Sequence, residues 1–273
     1  MKRTTRIGLG LTAVLFGAAC TSAAPNAGAP STSATPSGTS NATSTATATA
    51  PAGGSDIVAT SAGDLKITPV YHATTVLEHG GKVVIVDPWS KGPIDKLPKA
   101  DLLLITDVHF DHLDKEAIAK VKKDSTVILG PEAVAKELPG IKVIKNGEKT
   151  TEMGIGIEAI PMYNKVRGPE PGKLFHDKGR GNGYVLTFAD KRVYLSGDTE
   201  CTDEMKALQN IDVAFVCMNL PYTMPPSEAA ECVKAFKPKI LYPYHYRDSN
   251  LGDLEKGLAG EKGIEIRERN WYP

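Results

Sequence analysis

Short apolar runs bounded by Gly, Pro or Asp recur along the chain from Leu65 onward. Three early runs, "LKITPVY", "TTVLEHG" and "KVVIVDP", follow one another with no helical pattern between them. Runs of this length and composition are typical of β-strands, and Gly80 and Gly81 between the last two are typical of a hairpin turn. The pattern therefore predicts an antiparallel start to the folded part of the chain.

Strand and helix patterns alternate after this start. Further strands are predicted over "DLLLIT", "STVILG", "IKVIKN", "GIEAIPM", "GYVLTF", "RVYLSG", "DVAFVCMN" and "KILYPY". Helices are predicted over "KEAIAKVKK", "PEAVAKEL", "PSEAAECVKAF" and from Thr202 to Leu208. Each half gives a mixed sheet, and two such sheets packed face to face bury both inner faces. We expect an α+β four-layer αββα sandwich, with two mixed β-sheets flanked by helices.

The first 20 residues have the pattern of an export signal. Lys2, Arg3 and Arg6 precede an uncharged run from Ile7 that ends at Cys20, and this run is too short to span a bilayer comfortably. "FGAAC" resembles a bacterial lipoprotein signal, in which Cys20 is the lipidated first residue; cleavage after "TSA" is the alternative. We expect an envelope lipoprotein, periplasmic or on the outer surface, with an N-terminal lipid anchor in the membrane, or otherwise a secreted protein.

Composition divides the rest of the chain into a linker and one domain. Residues 21–56 are almost wholly Ser, Thr, Ala, Pro, Gly and Asn, which predicts a disordered tether, and residues 57–273 are long enough for one domain. The formal net charge is +0, and there is no basic run of the kind that nucleic acid requires. We therefore expect no nucleic-acid partner, and the sequence leaves the oligomeric state open.

Three cysteines beyond Cys20 are widely spaced. Cys201, Cys217 and Cys232 are odd in number, so no disulfide framework follows from them. Cys217 and Cys232 lie within apolar or helical patterns, and both are expected to be buried as small hydrophobic residues.

Polar side chains cluster where predicted strands end. They are His72, Asp107, His109, Asp111, His112, Asn164, Asp198 and His245. Strand ends held by a rigid core are places where side chains converge on one ion, and a mixture of imidazole and carboxylate suits Zn, Mn or Fe. A lone histidine, such as His79, is more often a satisfied loop residue. Several neighbouring ionisable groups are costly to bury unless they are paired or bound to metal.

Four motifs carry a resemblance to a known family. "TDVHFDHLD" resembles the His-x-His-x-Asp-His signature of the metallo-β-lactamase superfamily, and "LSGDTE" resembles its strand-end Gly-Asp-Thr. "YHATTVLE…KVVIVDPW" and "YPYHYRD" are similar to its opening strands and final histidine. The resemblance covers about Leu65 to Asp248. It implies the αββα sandwich and metal-dependent hydrolysis.

The resemblance also assigns ligands. It places His109 in the first metal site and both Asp111 and His112 in the second. Asp198 would bridge the two sites, and His245 would complete the second one.

Two positions depart from the family pattern. Asp107 replaces the first histidine, and Asn164 falls where the middle histidine is normally found. Whether these two are ligands stays open. A carboxylate and an amide make the first site harder and weaker, so we expect one tight divalent ion, zinc first with manganese or iron as alternatives, and an optional second ion.

Other candidate residues border the pocket that the resemblance implies. Candidates for contacting the substrate or supporting the ligands are His72, Asn164, His176, Arg180 and Asn182. Arg180 is a candidate anion contact and Asn182 a candidate donor behind the ligands, with surface or turn roles equally open. Tyr163, Tyr222 or Tyr244 would help by donating a hydrogen bond, or would be core aromatics.

Within the superfamily, "DHLD" and "TMPPSEAA" resemble the branch that includes lactone hydrolases and N-acylphosphatidylethanolamine-type phospholipases D. This resemblance implies metal-dependent hydrolysis of an ester, lactone or phosphodiester in a small-molecule or lipid-like substrate. A metal-bound hydroxide held near Asp198 would attack carbon or phosphorus, and Asp111 would orient the water, which makes these two the catalytic candidates. The alternative is a non-catalytic metal- or ligand-binding lipoprotein with a degenerate first site, which Asp107 and Asn164 favour. A third hypothesis is a structural envelope protein without metal.

Overall fold

The structure is a computed structural model that describes residues 54–273. The predicted signal peptide and nearly all of the predicted linker lie outside the described residues. Within the part of the chain that is described, none of the helices has the length and apolar character of a membrane span.

The first half of the domain forms one seven-stranded mixed sheet. Its strands are β1 (Asp56–Thr60), β2 (Gly63–Tyr71), β3 (Thr74–His79), β4 (Lys82–Val86), β5 (Leu102–Leu104), β6 (Val127–Gly130) and β7 (Lys142–Val143). They lie side by side in chain order; pairs up to β3–β4 are antiparallel and later pairs are parallel. The predicted hairpin is confirmed, because His79 pairs with Lys82 across Gly80 and Gly81, at φ 55° and 73°.

The second half repeats the arrangement in a second seven-stranded sheet. Its strands are β8 (Lys149–Glu152), β9 (Ile155–Met162), β10 (Gly181–Phe188), β11 (Lys191–Leu195), β12 (Val213–Cys217), β13 (Ile240–Tyr244) and β14 (Glu265–Ile266). The order again follows the chain, with antiparallel pairing up to β10–β11 and parallel pairing from β11 to β14. The parallel halves place several strand ends at one edge of each sheet.

Five α-helices and one short 3₁₀ turn complete the described part of the chain. They are α1 (Lys115–Val121), α2 (Glu132–Glu137), α3 (Asp203–Lys206), α4 (Pro226–Phe236), α5 (Leu251–Leu258) and the 3₁₀ turn Ile94–Lys96. Asp114 accepts hydrogen bonds from the backbone of Glu116 and Ala117, so the last aspartate of "HFDHLD" caps α1. Helix α5 was not predicted from the sequence, because its two glycines weaken the helical signal; buried Leu254 and Leu258 hold it by packing.

The core confirms the four layers. Leu102 and Leu104 of β5 belong to the cluster that both sheets share, whereas Leu103 faces a second cluster with Ala117 and Val121 of α1. A strand buried on both faces reads as a continuous apolar run, as "DLLLIT" does. The predicted αββα sandwich is therefore the observed fold.

The structure corrects one expectation about cysteines. Cys201 and Cys232 form a disulfide with their Cα atoms 5.5 Å apart, whereas Cys217 is free and buried as predicted. The spacing of 31 residues gave no local signal, because the pairing depends on the loop after β11 packing against α4.

Candidate metal centre

The candidate site lies where strands of both sheets end, and its backbone is strained. His72, Asp87 and His245 directly follow β2, β4 and β13, with φ values of 55°, 45° and 48°. Non-glycine residues rarely adopt this left-handed region, which costs about 1–3 kcal/mol per residue and is concentrated at functional sites. Gly197 before Asp198 also has a positive φ, and a Cβ there would collide with Met162.

Asp198 is the centre of the cluster. Nε2 of His112 and Nε2 of His176 each lie 3.3 Å from its Oδ2, and Nε2 of His245 lies 3.2 Å from its Oδ1. All three Nε2 atoms are buried and have no hydrogen-bond partner in the described structure. Leaving a buried polar atom unpaired costs about 1–3 kcal/mol. A tetrahedral ion with bonds of about 2.1 Å has ligand atoms about 3.4 Å apart, which matches this spacing.

A buried carboxylate that the sequence analysis did not select orients His112. The Nδ1–H of His112 donates to Asp87 Oδ2 at 2.8 Å, which turns Nε2 toward Asp198. Asp87 also accepts from the backbone N–H of Thr106 at 2.8 Å and from its hydroxyl at 2.6 Å. Carboxylates behind histidine ligands fix the tautomer in this way. The sequence signal for Asp87 is present in "KVVIVDP", where this aspartate directly follows a buried apolar strand.

Opposite charges hold the pair at the centre together. Burial alone would lower the pKa of His112, but Asp198 and Asp87 raise it well above its usual value. Burial alone would raise the pKa of Asp198, yet His245 and His112 hold it well below its usual value. A divalent ion would take over the charge compensation that the His112 proton supplies.

His176 supplies the imidazole that the sequence lacks at position 164. Its Nδ1–H donates to Asn164 Oδ1 at 2.6 Å, and the amide of Asn164 donates to Glu200 Oε1 at 3.1 Å and to the Tyr222 carbonyl at 2.9 Å. The amide therefore faces its protein partners, and the imidazole of His176 faces Asp198. The sequence offered no way to join two residues 12 positions apart across a loop.

Glu200 fixes the loop that begins at Asn164. Its carboxylate accepts from the backbone N–H of Lys165 at 3.1 Å, Val166 at 3.2 Å and Arg167 at 2.7 Å. Burial alone would raise the pKa of Glu200, but the Asn164 amide and these backbone donors hold it below its usual value. The glutamate of "GDTE" thus acts on the centre through Asn164 and His176.

We predict that Asn164→Leu lowers metal affinity by about 10–100-fold, the usual loss when a group behind a ligand is removed. The physical reason is that His176 loses the acceptor that orients its ring. Competition with a chromophoric chelator measures the zinc dissociation constant, and Gln209→Leu, at an exposed amide, is the control. An unchanged dissociation constant in a folded Asn164→Leu protein would contradict the assigned role.

Asp111 and His72 lie at the edge of the centre. The Nε2–H of His72 donates to Asp111 Oδ2 at 3.1 Å, and Nδ1 accepts from the Tyr272 hydroxyl at 2.8 Å. Burial, reinforced by His245, lowers the pKa of His72 to about 3, so its ring is neutral. Burial alone would raise the pKa of Asp111, but His112 and the neighbouring rings hold it well below its usual value. Asp111 is therefore an ionised carboxylate held in place by a neutral histidine.

The predicted first site contains an arginine. Arg180 donates from Nε to Asp107 Oδ1 at 3.0 Å and from Nη2 to Asp107 Oδ2 at 2.8 Å. The same Nη2 lies 3.3 Å from Nε2 of His109, while Nδ1 of His109 lies 3.0 Å from Asp107 Oδ2. Asp107, His109 and His176 are close enough to form a metal-binding group, with ligand atoms within 4.8 Å. Arg180 contacts this group as an internal partner.

Asn182 lies behind the site. Its amide donates to the Ile144 carbonyl at 2.8 Å, and its Oδ1 accepts from Asn146 at 2.6 Å. It ties β10 to the segment after β7 and is not among the residues around the cavity. Its role is to hold the chain together near the centre.

A cavity of about 250 Å³ opens above the cluster. Phe110, Phe175 and Tyr222 form apolar walls, and Asp198 is part of its floor. Asn219 also lines the cavity; its Nδ2 is buried and has no hydrogen-bond partner among the described residues. Neither Phe110 nor Asn219 was predicted from the sequence to line the cavity, although Phe110 lies inside the "HFDH" motif.

Arg247 is a charged residue at the cavity that was not predicted from the sequence. Arg247 lines the cavity with a half-exposed side chain, and its Nη2 lies 3.7 Å from Asp111 Oδ2. Of the three tyrosines considered, Tyr222 reaches the cavity. The hydroxyl of Tyr163 donates to Glu204, and that of buried Tyr244 accepts from the Gly197 backbone.

Comparison with known proteins agrees with the fold and shows the family to which the chain belongs. The family model described as beta-lactamase superfamily domain matches residues 66–245, and the chain belongs to this superfamily. A UPF0173 metal-dependent hydrolase of Koribacter versatilis is 31% identical over 196 residues, which is 67% of this chain and 84% of that relative.

Solved structures of similar proteins have the same fold. A Parabacteroides distasonis protein described as a metal-dependent hydrolase matches with a TM-score of 0.75 and 43% identity, covering 80% of this chain and 98% of that one. Igni18, a metallo hydrolase from Ignicoccus hospitalis, matches with a TM-score of 0.61 at 22% identity over 75% and 94%, which shows the fold alone. These relatives support an enzyme whose substrate is unassigned.

Proposed function

We propose that the chain is a hydrolase that uses one tightly bound divalent ion, zinc first, to cleave an ester, lactone or phosphodiester bond. The observation that carries this proposal is the convergence of three unpartnered imidazole nitrogens, from His112, His176 and His245, on the carboxylate of Asp198. These nitrogens are buried, have no hydrogen-bond partner in the described structure and lie at the spacing of metal ligands.

The residues present fit such an ion. His112, Asp198 and His245 form a buried group with ligand atoms within 4.8 Å, and nitrogen with carboxylate oxygen suits zinc, with manganese and iron as alternatives. When bound, the ion lowers the pKa of a coordinated water and polarises a substrate oxygen. The protein has already paid the cost of desolvating and orienting these side chains.

Two further side chains have roles that follow from their positions. Asp111 is ionised and borders the cavity, so it can accept a hydrogen bond from water and orient that water for attack. The unpartnered amide of Asn219 can donate to the substrate oxygen on which negative charge develops.

The cavity favours a substrate with an apolar part and a polar group to be cleaved. Phe110, Phe175 and Tyr222 supply aromatic surface on its walls, and Arg247 supplies a positive charge beside Asp111. A volume of about 250 Å³ suits a small molecule or one end of a larger one. This mixture supports a small-molecule or lipid-like ester more than a highly charged substrate.

The test is hydrolysis by metal-stripped and reloaded protein on a panel of aryl esters, lactones and bis(aryl) phosphodiesters. We expect turnover on at least one class, lost after chelation and restored by zinc or manganese. Metal binding without turnover on any class would favour the second candidate, a metal- or ligand-binding module. The pairing of Arg180 with Asp107 in the first site supports this second candidate. A chain that binds no metal would contradict both.

We further propose that the protein is exported and tethered to the cell envelope through Cys20. The disulfide between Cys201 and Cys232 supports this, because disulfides persist in oxidising compartments and are rare in the cytosol. The tether would leave the domain free to meet substrates at a membrane surface.

A further inference from the structure

Arg180 lies where the resemblance expects a metal ion. The guanidinium donates two hydrogen bonds to the carboxylate of Asp107, at 3.0 and 2.8 Å, and its Nη2 also lies 3.3 Å from Nε2 of His109. These two residues occupy first-site ligand positions of the family pattern. A single cationic group therefore contacts both, as a metal ion in that site would.

The histidines of the centre divide into two kinds. His112, His176 and His245 present Nε2 atoms with no hydrogen-bond partner among the described residues. His109 differs, because Nδ1 faces Asp107 at 3.0 Å and Nε2 faces Arg180 at 3.3 Å. Its side chain is also 40% exposed, whereas that of His112 is fully buried. The lone pair that a first-site ion needs is directed at a cation.

We propose that the guanidinium of Arg180 takes the place of a second metal ion, so that the chain loads one divalent ion instead of two. This inference rests on the proposed function, which supplies the single ion. A carboxylate in place of the usual histidine is completely buried at Asp107 and requires a positive partner. Arginine provides one with a fixed planar fork and a permanent charge.

The geometry leaves little room for an ion beside the arginine. A metal at about 2.1 Å from Nε2 of His109 would lie against Nη2 of Arg180, and the two positive charges would repel each other. Arg180 is anchored on a turn, since its backbone N–H donates to the Asp177 carbonyl at 3.1 Å. Loading a second ion therefore requires Arg180 to leave both Asp107 and His109.

The experiment counts metal. Full-length protein is stripped with chelator, reloaded with excess zinc, desalted and measured by inductively coupled plasma mass spectrometry and by native mass spectrometry. We expect one zinc per wild-type chain, still one in His109→Ala, and less than 0.2 in His245→Ala. Arg180→Ala frees Asp107 and His109, which form a possible metal-binding group with His176, and this variant is expected to load two. Arg180→Lys keeps the charge and stays at one.

The outcomes separate this inference from the proposed function. Two zinc ions per wild-type chain, or one that is lost in His109→Ala and kept in His245→Ala, would overturn the role of Arg180 and leave a metal-dependent hydrolase in place. A wild-type chain that loads no zinc would overturn both. Should Arg180→Ala fail to fold, the comparison of His109→Ala with His245→Ala still decides.

Discussion

Asp198→Asn is expected to lose metal binding and hydrolysis together. The substitution removes the negative charge that three imidazole nitrogens approach within 3.2 to 3.3 Å. Removing a residue that only orients a ligand lowers metal affinity or activity by about 10–100-fold. Because Asp198 is itself a candidate ligand, the loss of metal affinity in Asp198→Asn should exceed this range. Zinc affinity is measured by chelator competition, and turnover by hydrolysis of the best substrate from the panel.

The matched control is Asp212→Asn. Asp212 is also a mostly buried carboxylate, but it lies before β12, where it accepts from the Arg192 backbone and pairs with Lys239. Its replacement should affect stability and leave zinc affinity within about twofold. If Asp198→Asn retained wild-type zinc affinity, the centre would have to be built from other side chains.

Removal of the disulfide is expected to have the largest effect on stability. The bond joins residues 31 positions apart. Closing a loop of that length lowers the entropy of the unfolded chain and raises the free energy of unfolding by about 3–4 kcal/mol. For a domain of this size, losing that stabilisation lowers the melting temperature by roughly 10 °C. Thermal unfolding of Cys201→Ala/Cys232→Ala, compared with wild type with and without reductant, measures the effect.

The free cysteine supplies the control. Cys217→Ala removes a buried thiol that forms no disulfide, so this variant should keep its sensitivity to reductant. Alkylation of the unreduced, unfolded domain should label Cys217 and leave Cys201 and Cys232 unlabelled until reductant is added. Labelling of all three without reductant would show that the bond is not formed.

Much of the site followed from the ends of strands. Asp107, Asp198 and His245 each follow an apolar run, and the parallel order of strands brings such ends to one edge. Asp87 obeys the same rule and was missed only because a single aspartate before a proline resembles an ordinary turn. Local patterns suffice to locate these residues because a buried strand ends within a few residues of its last apolar position.

The sequence by itself determined the two-sheet sandwich and the hairpin, since apolar periodicity and turn residues act over a few positions. It also placed polar residues at strand ends, and the family resemblance implied which of them are candidate ligands. Only the tertiary structure decided that Asn164 orients His176, that Arg180 pairs with Asp107 73 residues away, and that Cys201 pairs with Cys232. These contacts join loops whose relative positions depend on how the two sheets pack. No local sequence pattern predicts which loops come into contact, because each loop is compatible with many neighbours until the core is formed.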